Sequence, residues 1–169
     1  MKNRDGLENN DNWKTPTWLY EVLDNLFYFN FDPCPLYHDL RQWNGLEIDW
    51  GYCNFVNPPY NRIDKPRFIL KAYDEYKLGK TSVLLLPAAT GNNVYHDVLR
   101  PYADIIPIRG RISFEGVNTQ GDFVTTGKGK SDSMICVFYG ENMPQYKTEY
   151  LYNLINTAKH ERSNTKRKR

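Results

Sequence analysis

Asn57-Pro58-Pro59-Tyr60 stands directly after the apolar run Cys53 to Val56. Two successive prolines must end a strand there. Residues of these types, in this order, suit one kind of chemistry, which is holding a planar amino group for transfer to its nitrogen. The amino nitrogen of adenine is a poor nucleophile because its lone pair is delocalised into the ring. An acceptor on each of its two N–H bonds draws it towards a tetrahedral shape and localises the lone pair. The side-chain oxygen of Asn57 supplies one acceptor. The backbone carbonyl of Pro58 supplies the other, and consecutive prolines fix its direction before a substrate arrives. Tyr60 offers a flat face for a base, and stacking of this kind contributes roughly 1–3 kcal/mol. That offsets part of the cost of turning a base out of a duplex. The same tetrapeptide also makes an ordinary strand-ending turn, since Asn-Pro commonly initiates one.

Other side chains point away from metal and redox chemistry. Cys34, Cys53 and Cys136 are far apart and form no CxxC pair, and His38, His96 and His160 lack metal-ligand spacing. The chain reads as metal-free, with its cysteines as small hydrophobes. Gly127-Lys128-Gly129-Lys130-Ser131 suggests a phosphate loop, but Val124 stands where such a loop needs glycine. The net charge is +2, yet Lys159 to Arg169 holds six basic residues and one acid, or +5, which leaves 2 − 5 = −3 for the rest. A basic tail raises nucleic-acid affinity without sequence preference, or serves as a disordered solubilising end.

The elements that must position these residues follow from pattern. Residues 1–12 are polar and expected to be disordered. Thr15 is expected to cap a helix with Pro16 in its first position, and Leu19, Val22, Leu23 and Leu26 make its apolar stripe. Tyr28 to Phe31 and Cys53 to Val56 read as strands. Pro66 to Lys77 reads as a helix that buries Phe68, Ile69, Ala72, Tyr73 and Tyr76 and stops at Gly79. Thr81 to Leu86, with an unbroken apolar run from Val83, predicts a central strand covered on both faces. A helix over Asn93 to Arg100 and a strand over Ile105 to Ile108 come next. Ile112 to Phe114 and Met134 to Tyr139 are expected to pair as late strands, with Glu115 to Ser131 as a long mobile loop between them. Tyr146 to Lys159 closes the chain as a helix. This alternation is an α/β plan with a mostly parallel sheet, and ligands in such sheets bind at the carboxyl ends of the strands. Asp32 and Asn57 both sit at such ends. No apolar run is long enough to span a bilayer, and the N-terminus lacks a signal peptide's apolar segment, so a cytoplasmic protein is the default.

From Trp13 to Tyr139 the chain resembles the small phage-type DNA N6-adenine methyltransferases, relatives of the Dam group. The resemblance rests on elements in order: Trp13 with Thr15-Pro16; Phe31-Asp32-Pro33-Cys34-Pro35; Gly45-Leu46 followed by Asp49-Trp50; Asn57-Pro58-Pro59-Tyr60; Leu84-Leu85-Leu86-Pro87; and Arg109-Gly110-Arg111-Ile112-Ser113-Phe114. It implies a Rossmann-like methyltransferase fold in one compact domain over residues 13–158, S-adenosylmethionine as donor, and adenine in double-stranded DNA as target. By position, Asn57, Pro58 and Tyr60 would hold a flipped adenine, with Pro59 in the same catalytic turn. Asp32, Pro33 and Cys34 would form the first donor loop, with Asp32 near the methionine end. Thr15 and Pro16 would close over the donor, Asp49 would accept a hydrogen bond from the donor's adenine, and Phe114 would pack the target base. Asp32-Pro33-Cys34-Pro35 replaces the glycine-rich first loop common in methyltransferases. About two dozen residues separate Asp32 from Asn57, too few for a strand-helix-strand unit.

These 169 residues are expected to leave no room for a separate recognition domain, so recognition would have to come from loops. Within Glu115 to Ser131, Asn118 and Gln120 suit bidentate contacts to adenine edges, and Lys128 and Lys130 suit guanine or phosphate. An ordinary flexible excursion is the competing reading of that loop. Two other functions compete for the whole chain. One is methylation of RNA or of a protein glutamine, whose planar amino nitrogen Asn57 and Pro58 would grip equally well. The other is a nucleic-acid-binding module that has lost catalysis, for which an intact tetrapeptide has no use.

Overall fold

A computed structural model describes residues 13–36, 42–117, 123–125, 131–141 and 143–167. Helix α1 (Thr17–Phe27) leads to strand β1 (Cys53–Val56), α2 (Asp64–Lys77) and β2 (Thr81–Pro87). A wide π-type turn over Tyr95–Leu99 runs into the short α3 (Arg100–Tyr102) and then β3 (Asp104–Pro107). The hairpin β4 (Glu115–Val117) and β5 (Phe123–Thr125), strand β6 (Ser133–Phe138) and α4 (Thr148–Arg167) complete the order.

Four strands form one sheet in the order β1-β2-β6-β3. β1 pairs with β2 in parallel, while β6 is antiparallel to both β2 and β3. The sheet is therefore mixed, with one parallel pair, where a mostly parallel sheet was expected. The reason lies in β6. It is apolar on both faces and fully buried, so it takes a central place, between β2 and β3. Its pairing partners are β2 and β3 and not Ile112 to Phe114, which forms no strand.

Side-chain alternation along β2 sets the layers. Val83 and Leu85 face one core with Leu19, Leu23 and Phe27 of α1 and Leu151 and Ile155 of α4. Leu84 and Leu86 face the other, with Phe68, Ile69 and Ala72 of α2 and Val98 and Leu99 of the π-type turn. Both faces of β2 are covered, as its unbroken apolar run predicts.

Local chemistry moved several boundaries. α1 begins at Thr17 with Pro16 as its N-cap, not Thr15, and no side chain caps it. The Pro16 carbonyl takes the N–H groups of Leu19 and Tyr20. Tyr28 adopts a left-handed conformation with φ 53° and ends α1. The expected strand over Tyr28 to Phe31 is thereby reduced to a single parallel bridge from Phe31 to Asn54. α2 starts two residues early because Oδ1 of Asn61 accepts the Ile63 and Asp64 N–H groups. Its buried side includes Glu75, 1 % exposed, held by Lys71 and Lys80. Tyr73 and Tyr76 pack against the core only in part. Gly79, at φ 83°, makes the turn after α2 as expected. The expected loop Glu115 to Ser131 contains the β4-β5 hairpin. α4 continues eight residues beyond the expected stop, to Arg167.

Candidate active site

β1 ends at Val56, and the next residue, Asn57, stands at the carboxyl edge of the sheet. Its Nδ2 donates to the Trp13 carbonyl at 2.8 Å, and its Oδ1 lies 2.9 Å from the Tyr60 hydroxyl. These two contacts distinguish the ends of the carboxamide, since only nitrogen can donate to the carbonyl. The same hydroxyl is 3.1 Å from the Leu85 carbonyl in β2. Its single proton serves one acceptor at a time. Burial pushes the Tyr60 phenol well above its ordinary range, so it stays protonated and acts as a donor. Pro58 is buried and Pro59 partly so. Phe114 meets Tyr60 edge to face, with centroids 6.1 Å apart.

The stretch Trp13 to Thr15 lies across Asn57 as a strap. Lys14 exchanges both backbone hydrogen bonds with Glu115 at the start of β4. One short segment thus touches both the Asn57 carboxamide and the hairpin. Thr15 is buried within it, which explains why it does not serve as a helix cap.

Under the strap is a cavity of about 270 Å³ whose lining includes Thr15, Tyr20, Asp32, Cys34, Phe55 and Asn57. It is close to the lower bound of about 300 Å³ for small-molecule sites. The bridge from Phe31 to Asn54 brings Asp32 there, because it aligns Phe31 with β1. Asp32 Oδ1 accepts the Cys34 N–H at 2.7 Å and so shapes the turn. Pro33 is buried, its carbonyl accepting from Trp43. A Cβ on Gly45 would overlap that carbonyl, which accounts for glycine there. Burial, with the Asp32 and Asp64 carboxylates nearby, pushes the Cys34 thiol far up.

The structure therefore gathers Thr15, Asp32, Cys34 and Asn57 around one cavity, with Pro16, Pro33 and Pro58 in the backbone beside them and Tyr60 and Phe114 next to Asn57. It does not bring Asp49 there. Asp49 is exposed. The carbonyl of the adjoining Trp50 accepts from Lys80, next to the amino end of β2. Asn118, Gln120, Lys128 and Lys130 lie outside the described residues, in the sequence between β4 and β5 and after β5.

Sequence reasoning missed three participants. Tyr20 lines the cavity from α1, its ring edge-on to Phe55 at 5.1 Å. Its position three residues after Thr17, on the first turn above the strap, was the available signal. The Trp13 and Leu85 carbonyls are backbone groups and left no signal.

The family model described as DNA N-6-adenine-methyltransferase (Dam) matches residues 4–162. The chain belongs to that family. It is an adenine-specific DNA methyltransferase, as the order of its motifs led us to expect. No curated protein matches the chain. For a Dam-family methyltransferase, the Asn57 turn is the part of the molecule whose chemistry suits the amino group of adenine, and the family implies a methyl donor close by. Among the described residues, no helix is long and apolar enough to cross a membrane, and no group of three or more His, Cys, Asp or Glu side chains could hold a metal ion.

Proposed function

We propose that the cavity beneath the strap binds S-adenosylmethionine and that a flipped adenine from duplex DNA enters against Asn57, Pro58 and Tyr60. The observation that carries this reading is the oriented Asn57 carboxamide at the wall of a cavity lined by Thr15, Tyr20 and Asp32. The donor set fits the group. Asp32 suits the ammonium of the methionine end, and the rings of Tyr20 and Phe55 suit an adenine face or a sulfonium cation. When bound, S-adenosylmethionine supplies an electrophilic methyl group.

The chain's own residues do the rest. Oδ1 of Asn57 has a second lone pair for a substrate N–H beside the Tyr60 contact. The Pro58 carbonyl takes the second N–H. Phe114 and Tyr60 form the apolar walls that exclude water from the base. We also read the fold as Rossmann-like in strand direction. β1, β2 and β3 all run one way and β6 alone is reversed, as their pairings imply. The hairpin beside Phe114 is the element this reading assigns to sequence recognition through Asn118 and Gln120, with Lys128 and Lys130 on backbone or guanine.

The test combines two readouts. Calorimetry should detect S-adenosylmethionine binding to the protein alone. A duplex with 2-aminopurine at the target position should brighten on binding as the base leaves the stack. Donor binding without brightening would contradict base flipping, and no donor binding would contradict the cavity assignment.

A further inference from the structure

Helix α4 crosses the molecule from one sheet edge to the other. Near its start, Tyr146 approaches Tyr139, which follows the end of β6 at the amino edge of β2. Thirteen residues further along, Lys159 donates to the carbonyls of Arg109 at 2.5 Å and Gly110 at 2.7 Å. Asn156 holds the same loop, accepting the Arg109 N–H at 2.7 Å and donating to the Pro107 carbonyl. That loop follows the carboxyl end of β3, which runs in the direction of β1 and β2. α4 therefore points out of the sheet edge that carries Asn57, beside the segment leading to Phe114 and the hairpin.

Beyond Lys159 the helix leaves the body. Residues 160–165 are all exposed, more than one full turn with no face covered, yet the helix runs to Arg167. No packing holds these turns; i,i+4 side-chain hydrogen bonds do, from Ser163 to the Lys159 carbonyl, between Asn164 and His160, and from Thr165 to the Glu161 carbonyl. Lys159 is engaged as an anchor, and from Arg162 onward the sequence carries five basic residues and no acid. The remainder of the chain is net acidic, by the charges given above. A projecting end whose charges from Arg162 onward are all basic, on the edge that faces the substrate, complements a run of phosphates.

We propose that α4 beyond Lys159 is a rigid arm that contacts the phosphate backbone of duplex DNA alongside the target adenine. The clamp of Asn156 and Lys159 on residues 107–110 sets its direction relative to the hairpin. The inference rests on the chain acting on duplex DNA, and goes beyond a flexible basic tail in requiring helical structure.

Two variants of the full chain test it, by anisotropy with a duplex over a range of salt concentrations. In the first, Arg162→Gln, Lys166→Gln and Arg167→Gln are combined. It should weaken all duplex sequences alike and reduce the slope of log affinity against log salt by about 0.9 for each phosphate no longer neutralised. In the second, Ser163→Pro keeps every charge but breaks the helix. It should lose most of the same affinity, with an unchanged melting temperature because residues 160–165 touch no core. Ser163→Pro binding like the wild type would overturn the arm in favour of a flexible tail. An unchanged salt slope in the triple variant, or weakening confined to one target sequence, would also overturn it. Failure of the wild-type chain to bind duplex DNA would instead count against the functional reading.

Discussion

The Tyr60 hydroxyl and the Asn57 carboxamide oxygen are joined by a hydrogen bond of 2.9 Å, three residues apart across the two prolines. On the proposed reading the tyrosine of the motif carries two separable functions, a ring for the base and a hydroxyl that positions the acceptor. Tyr60→Phe keeps the ring and removes the hydroxyl. One net hydrogen bond is about 0.5–1.5 kcal/mol, so kcat should fall by roughly two- to tenfold while KM for DNA stays close to wild type. Tyr60→Ala should raise KM as well. Steady-state kinetics on a single-site duplex separates the two roles.

Asp32 and Asp49 are told apart by position. Both carboxylates are exposed, but Asp32 lines the cavity and Asp49 is not among its lining residues. Asp32→Ala should weaken S-adenosylmethionine binding, whereas Asp49→Ala should leave it unchanged, contrary to what family resemblance alone suggests. Calorimetry with each variant checks both, and a large loss in Asp49→Ala would place that carboxylate back at the donor.

Gly45 packs against the Pro33 carbonyl in the loop proposed to bind the donor. In Gly45→Ala the new methyl overlaps the Pro33 carbonyl, so Pro33 must shift and Asp32 with it. Overpacking of this kind costs about 1–3 kcal/mol. The variant should melt earlier and bind donor more weakly, by thermal unfolding and calorimetry on one preparation.

Acid sensitivity should centre on Glu75. Burial alone would raise its pKa, but the hydrogen bonds and charges of Lys71 and Lys80 outweigh it and hold the carboxyl below its ordinary value. A carboxylate depressed in the folded state adds stability that is full above its unfolded pKa of about 4.3 and is lost as pH falls through the lower folded value. The melting temperature should therefore drop steeply below about pH 4.3, and Glu75→Gln should flatten that drop. At neutral pH the same variant should cost about 3 kcal/mol, the low end for a broken buried pair because both lysines keep some contact with water.

Much of the proposed site was legible in the sequence, since its residues sit in short contiguous motifs. Asn57 to Tyr60 follow a buried strand as read, and Asp32 sits where a strand-like segment meets the carboxyl edge. β2 was legible because an apolar run without polar breaks has one stable place. The place of β6 was less so. Its composition requires burial on both faces but does not say between which neighbours, and the nearest apolar stretch in sequence was mistaken for its partner. The N-cap was misjudged because Thr15 satisfies a local rule that its burial under the strap overrides. Asp49, a motif position carried over by order, is not among the residues that line the cavity. The length of α4 was hidden because its last turns carry no apolar stripe to read.

The central claim is that Asn57 supplies one of two fixed acceptors for the adenine amino group. Single-turnover methyl transfer by purified Asn57→Ala, with donor and duplex saturating, tests it most directly. The account predicts a rate lower by on the order of 10²–10³ with the fold retained, measured with donor saturating because the variant also loses the Trp13 contact over the donor cavity. A rate near that of the wild type would contradict it.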